Sequence, residues 1–210
     1  SLLAAMSKAG CNNIVFSSSA TVYGKPQYLP YDEKHPTNPV NPYGRTKLII
    51  ENIIKDWTAV DSKRRGTILR YFNPVGAHES GQIGEEPIGI PNNLMPYIAQ
   101  VADGRREHLN IFGNDYETAD GTGARDYIHV VDLALAHIGA LNQSKLDKFE
   151  VLNIGGGKST TVLELIKSFE ETSGVPIKFK YLPRRDGDLA AFWANSSKSF
   201  EKMSWKPERN

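Results

Sequence analysis

The chain has 210 residues, 40% of them hydrophobic, and 25 Lys and Arg stand against 24 Asp and Glu. That length suits one large or two small domains with an ordinary core. A net charge of +1 gives no general attraction to nucleic acid or to an anionic membrane surface. No apolar stretch is long enough to span a bilayer, and the single Cys11 cannot form an internal disulfide, so a reducing, cytoplasmic setting is expected. Asn142-Gln143-Ser144 and Asn195-Ser196-Ser197 match the glycosylation pattern, but with no secretory signal both read as chance.

In chain order, Ser1 to Gly10 reads as the end of a helix, with Leu2, Leu3 and Met6 as its apolar stripe and Gly10 as its stop. A chain that opens inside a helix is expected to be part of a longer one. Asn13 to Phe16 suits a buried parallel strand, and its carboxyl end delivers Ser17 to Ser19. In open α/β sheets that end faces the ligand crevice. Lys25 to Pro42 carries five prolines and predicts an irregular loop. A helix follows from Tyr43 to about Val60, with Leu48, Ile49, Asn52, Ile53, Asp56 and Trp57 as a mixed amphipathic face. Gly66 breaks it, and Thr67 to Phe72 is the next strand, which completes a right-handed parallel crossover.

Asn73-Pro74 starts a turn on local grounds, and Val75 to Pro91 is a glycine-rich loop. Asn93 to Asp103 is helical, Leu109 to Phe112 a strand ended by Gly113, and Asn114 to Gly123 a polar hairpin or loop. Tyr127 to His129 is extended, Val131 to Leu141 helical, Glu150 to Ile154 a strand, Thr161 to Thr172 a helix and Ile177 to Tyr181 a strand. A last helix covers Ser197 to Met203. A dinucleotide fold needs a glycine-rich turn after its first strand, and neither Gly-x-Gly-x-x-Gly nor Gly-x-x-Gly-x-x-Gly occurs here. Gly155-Gly156-Gly157-Lys158-Ser159-Thr160 resembles a phosphate loop. The position that should carry its first glycine is Leu152, so the triplet reads as a tight strand-to-helix turn with Ser159 or Thr160 as helix cap.

The chemistry lies in Ser17-Ser18-Ser19-Ala20-Thr21-Val22-Tyr23-Gly24 and in Tyr43-Gly44-Arg45-Thr46-Lys47. Tyrosine at i and lysine at i+4 share one helical face. A free tyrosine titrates near pH 10 and is no base at neutrality, but a neighbouring ammonium favours the phenolate. A serine hydroxyl at a nearby strand end can relay the proton. Together the three residue types read as proton-transfer machinery for an alcohol.

The serine run followed by Asn41-Pro42-Tyr43-Gly44-x-Thr46-Lys47 resembles the extended short-chain dehydrogenase/reductase family, and within it the branch that epimerises UDP-hexoses at C4. The likeness extends over nearly the whole chain, and the first third of the family's enzyme and a short piece of its far end fall outside it. It implies an α/β fold. Residues 1–78 would be the C-terminal half of an NAD-binding, Rossmann-type parallel sheet domain. Residues 79–210 would form a smaller α/β substrate domain, with about 127–142 packing back on the first. It also implies NAD-dependent interconversion of UDP-galactose and UDP-glucose by oxidation at C4, rotation of the 4-keto sugar and re-reduction. With no pyrophosphate cradle among them, these residues alone are expected to bind NAD poorly and to be inactive.

Residue by residue, the resemblance implies that Tyr43 takes the C4 hydroxyl proton, directly or through Ser19, while Lys47 bonds the nicotinamide ribose. Tyr71 and Phe72 would lie near nicotinamide, although from the residues alone they are ordinary strand aromatics. Ser19, Thr21, Phe72 and Asn73 would meet the sugar nucleotide. Asn92, Asn93 and Leu94 would hold the diphosphate, and either asparagine can equally cap the following helix. Asn110, Ile111 and Phe112 would flank uracil. Arg125 and Arg185 would grip phosphate, Asp188 the ribose, and Phe192 would close the space that an N-acetyl group at C2 needs. Asp186 stands where the family usually has glutamate or alanine. His129 has no second His or Cys at ligand spacing and reads as a structural, hydrogen-bonded histidine; no metal is expected. A homodimer through the helix that carries Tyr43 is implied as well. The rivals are another NAD-dependent sugar-nucleotide epimerase or dehydratase, and a non-catalytic binding or dimer-forming protein. Ala20-Thr21 after Ser19 offers no acid pair for a dehydratase, and the joint presence of Ser19, Tyr43 and Lys47 argues for catalysis.

Overall fold

The computed structural model describes residues 2–142 and 146–209. Ser1 of the expected first helix, and Gln143 and Ser144 of the first glycosylation pattern, lie outside the described residues. The chain opens with helix α1 (Leu2–Lys8) and strand β1 (Asn13–Ser19), and a single 3-10 turn (Ala20–Val22) leads into the proline-rich loop. Helix α2 (Pro42–Ala59) starts where its chemistry dictates. Pro42 fills the first turn, where its missing N–H is no loss, and the Asn41 side chain accepts the Gly44 N–H at 2.7 Å.

Strands β2 (Arg65–Tyr71) and β7 (Phe149–Ile154) complete a parallel sheet of order β1-β2-β7, with Ser19 opposite Tyr71 and Tyr71 opposite Ile154. Parallel strands buried on both faces need near-continuous apolar side chains, and Ile68, Leu69, Leu152 and Ile154 are fully buried. Between them in sequence lie β3 (Asn73–Val75), α3 (Leu94–Ala102), β4 (Leu109–Phe112), β5 (Ala124–Arg125), β6 (Tyr127–His129) and α4 (Val130–Leu141). After β7 come β8 (Thr160–Thr161), α5 (Val162–Ser173), β9 (Phe179–Leu182), β10 (Ala191–Phe192) and α6 (Ser197–Met203). Three smaller sheets pair β3 with β6, β4 with β9, and β10-β5-β8 in that order.

Among the described residues, three apolar clusters hold these layers. Leu69, Leu152, Ile154, Ala136 and Trp205 pack α4 and the end of the chain against the first sheet. Val22, Tyr23, Tyr31 and Phe72 close the loop over the carboxyl ends of its strands. Ile98, Leu109, Ile111, Ile166 and Ile177 form a separate core for α3, β4 and α5.

Four local expectations change. Asn73-Pro74 is not a turn: it lies in β3, in register with Tyr127 and Ile128. A two-stranded pair leaves one side of a strand open, so a proline there forfeits little. The return of the later chain to the first sheet reaches beyond 127–142, since β7 is itself one of its strands. The cap of α5 is Thr161, the last residue of β8, because it and not Thr160 stands three residues before Glu164 and forms a reciprocal capping box with it. Finally, the buried residues of α2 are Gly44, Glu51, Ile54, Trp57 and Thr58, while Ile49 and Ile53 stand exposed. A buried glutamate on the core side disguises that face in the sequence.

Candidate functional site

Everything of chemical interest gathers beyond the carboxyl end of β1. The Ser19 hydroxyl accepts from the Thr21 N–H at 3.2 Å and from the Thr21 hydroxyl at 3.0 Å, which turns the chain out of the strand. The first turn of α2 lies directly against this bend. A Cβ on Gly44 would stand 2.7 Å from the Thr21 carbonyl oxygen and 2.9 Å from Pro39, so only glycine admits the approach. Tyr43 is thereby brought beside the strand end, with its side chain 52% exposed. One turn on, the Lys47 ammonium donates to the Ser17 carbonyl at 2.9 Å and lies 5.4 Å from the Tyr43 ring centre. The tyrosine–lysine pair thus stands at the mouth of the parallel sheet.

Two cavities adjoin this end. The larger, about 520 Å³, is lined by Asn73, Asn92, Asn93 and Leu94. Asn110, Ile111 and Phe112 of β4 line it as well, together with Arg125, Arg185 and Asp188. The smaller, about 220 Å³, includes Thr21, Asn41, Tyr31 and Phe192 and shares Arg125, Arg185 and Asp188 with the first. The two arginines therefore stand where the cavities meet. Ser19, Tyr43 and Lys47 line neither cavity; their neighbours Thr21 and Asn41 do. Phe72 lines neither and is buried behind Phe192 and Tyr31, with ring centres 6.0 and 6.4 Å away. Tyr71 is half-buried and faces His137 of α4. Asn93 occupies the cap position of α3 without a side-chain cap bond, its amide reaching Glu85 instead at 3.3 Å.

The cations are laid on aromatic rings: Arg125 over Phe192 at 4.8 Å and Arg185 over Phe112 at 4.7 Å. Asp188 pairs with Arg185 at 2.8 Å and stands 3.9 Å from Arg125. Arg125 spends one amino group on the carbonyls of Ala124 and Leu189, both at 2.9 Å. Burial lowers its pKa against the pull of Asp188. A half-buried guanidinium that shares one carboxylate with a second arginine leaves donors for an anionic ligand. Sequence reasoning missed Tyr116 and Tyr127, which also line the larger cavity. The Tyr116 hydroxyl and Asn110 Oδ1 are buried without a hydrogen-bond partner among the described residues. Tyr127 is one residue beyond Asp126, and burial pushes its phenol up to about 12.

The Gly155–Gly157 turn serves a different purpose from a phosphate loop. The Asp126 carboxylate accepts the N–H groups of Gly156 at 2.6 Å, Gly157 at 3.0 Å and Ala194 at 2.9 Å, so an internal anion occupies the turn. A Cβ on Gly156 would stand 2.7 Å from the Tyr127 carbonyl. Burial outweighs those three bonds and raises the Asp126 pKa to about 6. Asp126 thus ties Arg125 and Tyr127 to the strand that carries Phe192. His129 caps α4, accepting the Val131 N–H at 3.2 Å. Among the described residues no group of three or more His, Cys, Asp or Glu is placed to hold a metal ion.

Residues 1–155 match the model of the NAD dependent epimerase/dehydratase family. The chain belongs to that family. Among family relatives, it is 55% identical over 206 residues to the UDP-glucose 4-epimerase of Homo sapiens, covering 97% of this chain and 59% of that protein. With the UDP-glucose 4-epimerase of Erwinia amylovora it shares 52% over 210 residues, covering 99% of this chain and 62% of the relative. The fold matches the crystal structure of UDP-glucose-4-epimerase from Stenotrophomonas maltophila with bound NAD and formylated UDP-arabinopyranose, with a TM-score of 0.96 and 50% identity over 100% of this chain and 62% of that one. It also matches the Bifidobacterium longum UDP-glucose 4-epimerase in complex with NAD+ and UDP, with a TM-score of 0.93 and 49% identity over 100% of this chain and 63% of that one. The chain therefore spans about 60% of the length of these family members. No described helix is long and apolar enough to cross a membrane.

Proposed function

We propose that the protein carrying this chain is an isomerase that interconverts UDP-galactose and UDP-glucose at C4 with NAD as cofactor. The observation that carries the reading is the Lys47 ammonium, anchored on the Ser17 carbonyl beside Tyr43 at the strand end and adjoining an arginine-bordered double cavity. NAD, when bound, supplies the hydride acceptor and donor at C4. At its nicotinamide end Lys47 would bond the ribose, and Tyr71 and Phe72 would lie near the ring. Tyr43 as phenolate takes the C4 hydroxyl proton, directly or through Ser19, and returns it after the sugar has turned.

The two cavities suggest how a UDP-hexose lies. Uridine takes the larger, with Asn110 to Phe112 along the base and Asp188 on the ribose. The diphosphate meets Arg125 and Arg185 at the junction, with Asn92, Asn93 and Leu94 behind it. The hexose enters the smaller cavity toward Thr21 and Ser19, and Asn73 meets the sugar nucleotide from the larger one. Phe192 narrows that cavity, which favours hexoses without an N-acetyl group at C2. We assign residues 1–78 to the NAD-binding domain and the later residues mainly to the substrate domain, in a cytoplasmic homodimer. The exposed free Cys11 and the exposed Ile49 and Ile53 on α2 support the last two assignments.

The test is Tyr43→Phe in the protein expressed from its complete reading frame. Removing the acid–base group should lower kcat for UDP-galactose by about a hundredfold or more and leave UDP binding unchanged. Full epimerase activity in that variant would reject the mechanism.

A further inference from the structure

Glu51 lies two helical turns beyond Tyr43 and one beyond Lys47, so Tyr43, Lys47 and Glu51 follow one i, i+4 line down α2. It is 3% exposed and Arg70 of β2 is 6% exposed, yet the two form a bidentate ion pair with contacts of 3.0 and 2.6 Å. The Ser18 hydroxyl adds a bond to Glu51 at 2.5 Å, and Ser18 is wholly buried. Arg70 in turn stacks over the ring of Tyr23 at 4.9 Å, and the Tyr23 hydroxyl donates to Asn153 of β7 at 2.6 Å. One carboxylate thus links α2 to the serine next to Ser19 and, through Arg70, to the next strand.

A buried ion pair is a poor stabiliser. Desolvating two charges costs about as much as their attraction returns, and an apolar pair of the same volume is often as stable or more so. Its value is directional. Apolar packing lets a helix slide or turn at little cost, whereas a forked guanidinium and a serine hydroxyl accept one placement. Tyr43 projects from the far end of the same line, about 12 Å along the axis, so a small rotation at Glu51 moves its hydroxyl relative to Ser19. Lys47 lies between them on the Ser17 carbonyl, and successive residues of β1 therefore receive successive turns of α2.

We propose that Glu51 is a positioning residue for the reaction: clamped by Ser18 and Arg70, it sets the rotation and axial place of α2 and so holds the Tyr43 hydroxyl and the Lys47 ammonium in register with Ser19. This rests on the epimerase reading above, and wild-type epimerisation of UDP-galactose is measured first as its independent check.

The deciding variant is the double substitution Glu51→Met with Arg70→Met in the complete protein. It replaces the pair by apolar side chains of similar length and should keep the melting temperature and the UDP affinity of wild type. Its kcat should fall at least about tenfold with KM within twofold, since misplacing a catalytic group by an ångström is that costly. A double variant with wild-type kcat overturns the proposal and leaves the pair a packing feature. Should it fail to fold, Glu51→Asp decides. That change keeps the charge but is too short to hold Ser18 and Arg70 at once. A tenfold loss of kcat with unchanged UDP affinity supports positioning, and wild-type kcat refutes it. If wild type itself does not epimerise, the epimerase reading fails on its own evidence.

Discussion

Phe192 is half-buried on the wall of the smaller cavity, packed between Phe72, Tyr31 and the Arg125 guanidinium. Cutting the ring back opens space, at the cost of the face on which the Arg125 guanidinium lies. Phe192→Cys should therefore admit UDP-N-acetylhexosamines, measured as a rise of about tenfold or more in kcat/KM for UDP-N-acetylgalactosamine relative to UDP-galactose. Comparable wild-type turnover of both would sink the assignment. Asp126 invites a different measurement. Its folded pKa of about 6 lies above the usual carboxylate value of 3.8. From about pH 4 to 6 the folded state then binds more protons than the unfolded one. The contribution is full below about pH 4 and disappears as pH rises through 6, on the order of 2–3 kcal/mol across the window. Urea unfolding of Asp126→Asn should show that slope flattened. Glu33, also raised by burial, keeps its share in both proteins. An unchanged slope would place the titration elsewhere.

Helix α2 carries most of the proposed chemistry, and its placement depends on what it lacks. Gly44 lets the first turn press against the Thr21 carbonyl. Gly44→Ala puts a methyl inside that contact, and the helix start must back away. We expect a loss of about 1–3 kcal/mol in stability and a larger proportional loss in kcat than in UDP affinity, read from thermal melts and steady-state kinetics. Equal stability and activity would mean that the bend at Thr21 yields freely. The same helix explains why its inner face was hard to read. Its isoleucines invite a core stripe through Ile49 and Ile53, but the sheet receives Glu51, Ile54 and Thr58 instead. Periodicity counts apolar residues, and here a paired charge replaces one of them. Short strands were likewise invisible. β5, β8 and β10 have two residues each, and their pairing depends on partners distant in sequence.

For the molecule as a whole, Ile49 and Ile53 remain 57% and 49% exposed, and α1, tied to α2 through the Ser7–Trp57 bond, adds Leu2 at 69%. Apolar side chains grouped this way on neighbouring helices suit a symmetric helical interface between copies. Ile53→Glu should lower the sedimentation coefficient of the complete protein to that of a monomer; an unaltered value would put the interface elsewhere.

The serine run, the tyrosine–lysine spacing, the long helix and the strands β1, β2, β4 and β7 were all legible from the residues. Each depends on neighbours a few positions away, through helical spacing, capping or an unbroken apolar run. What only the tertiary structure decided is which distant groups meet. It placed Lys47 on the Ser17 carbonyl, put Asp126 in the glycine turn, set Arg125 and Arg185 at the junction of two cavities, and buried Glu51 against Arg70. Those groups lie from 19 to 60 residues apart in the chain, and no local pattern encodes their meeting. They arise because a buried polar group must find a partner wherever the packed chain brings one within reach.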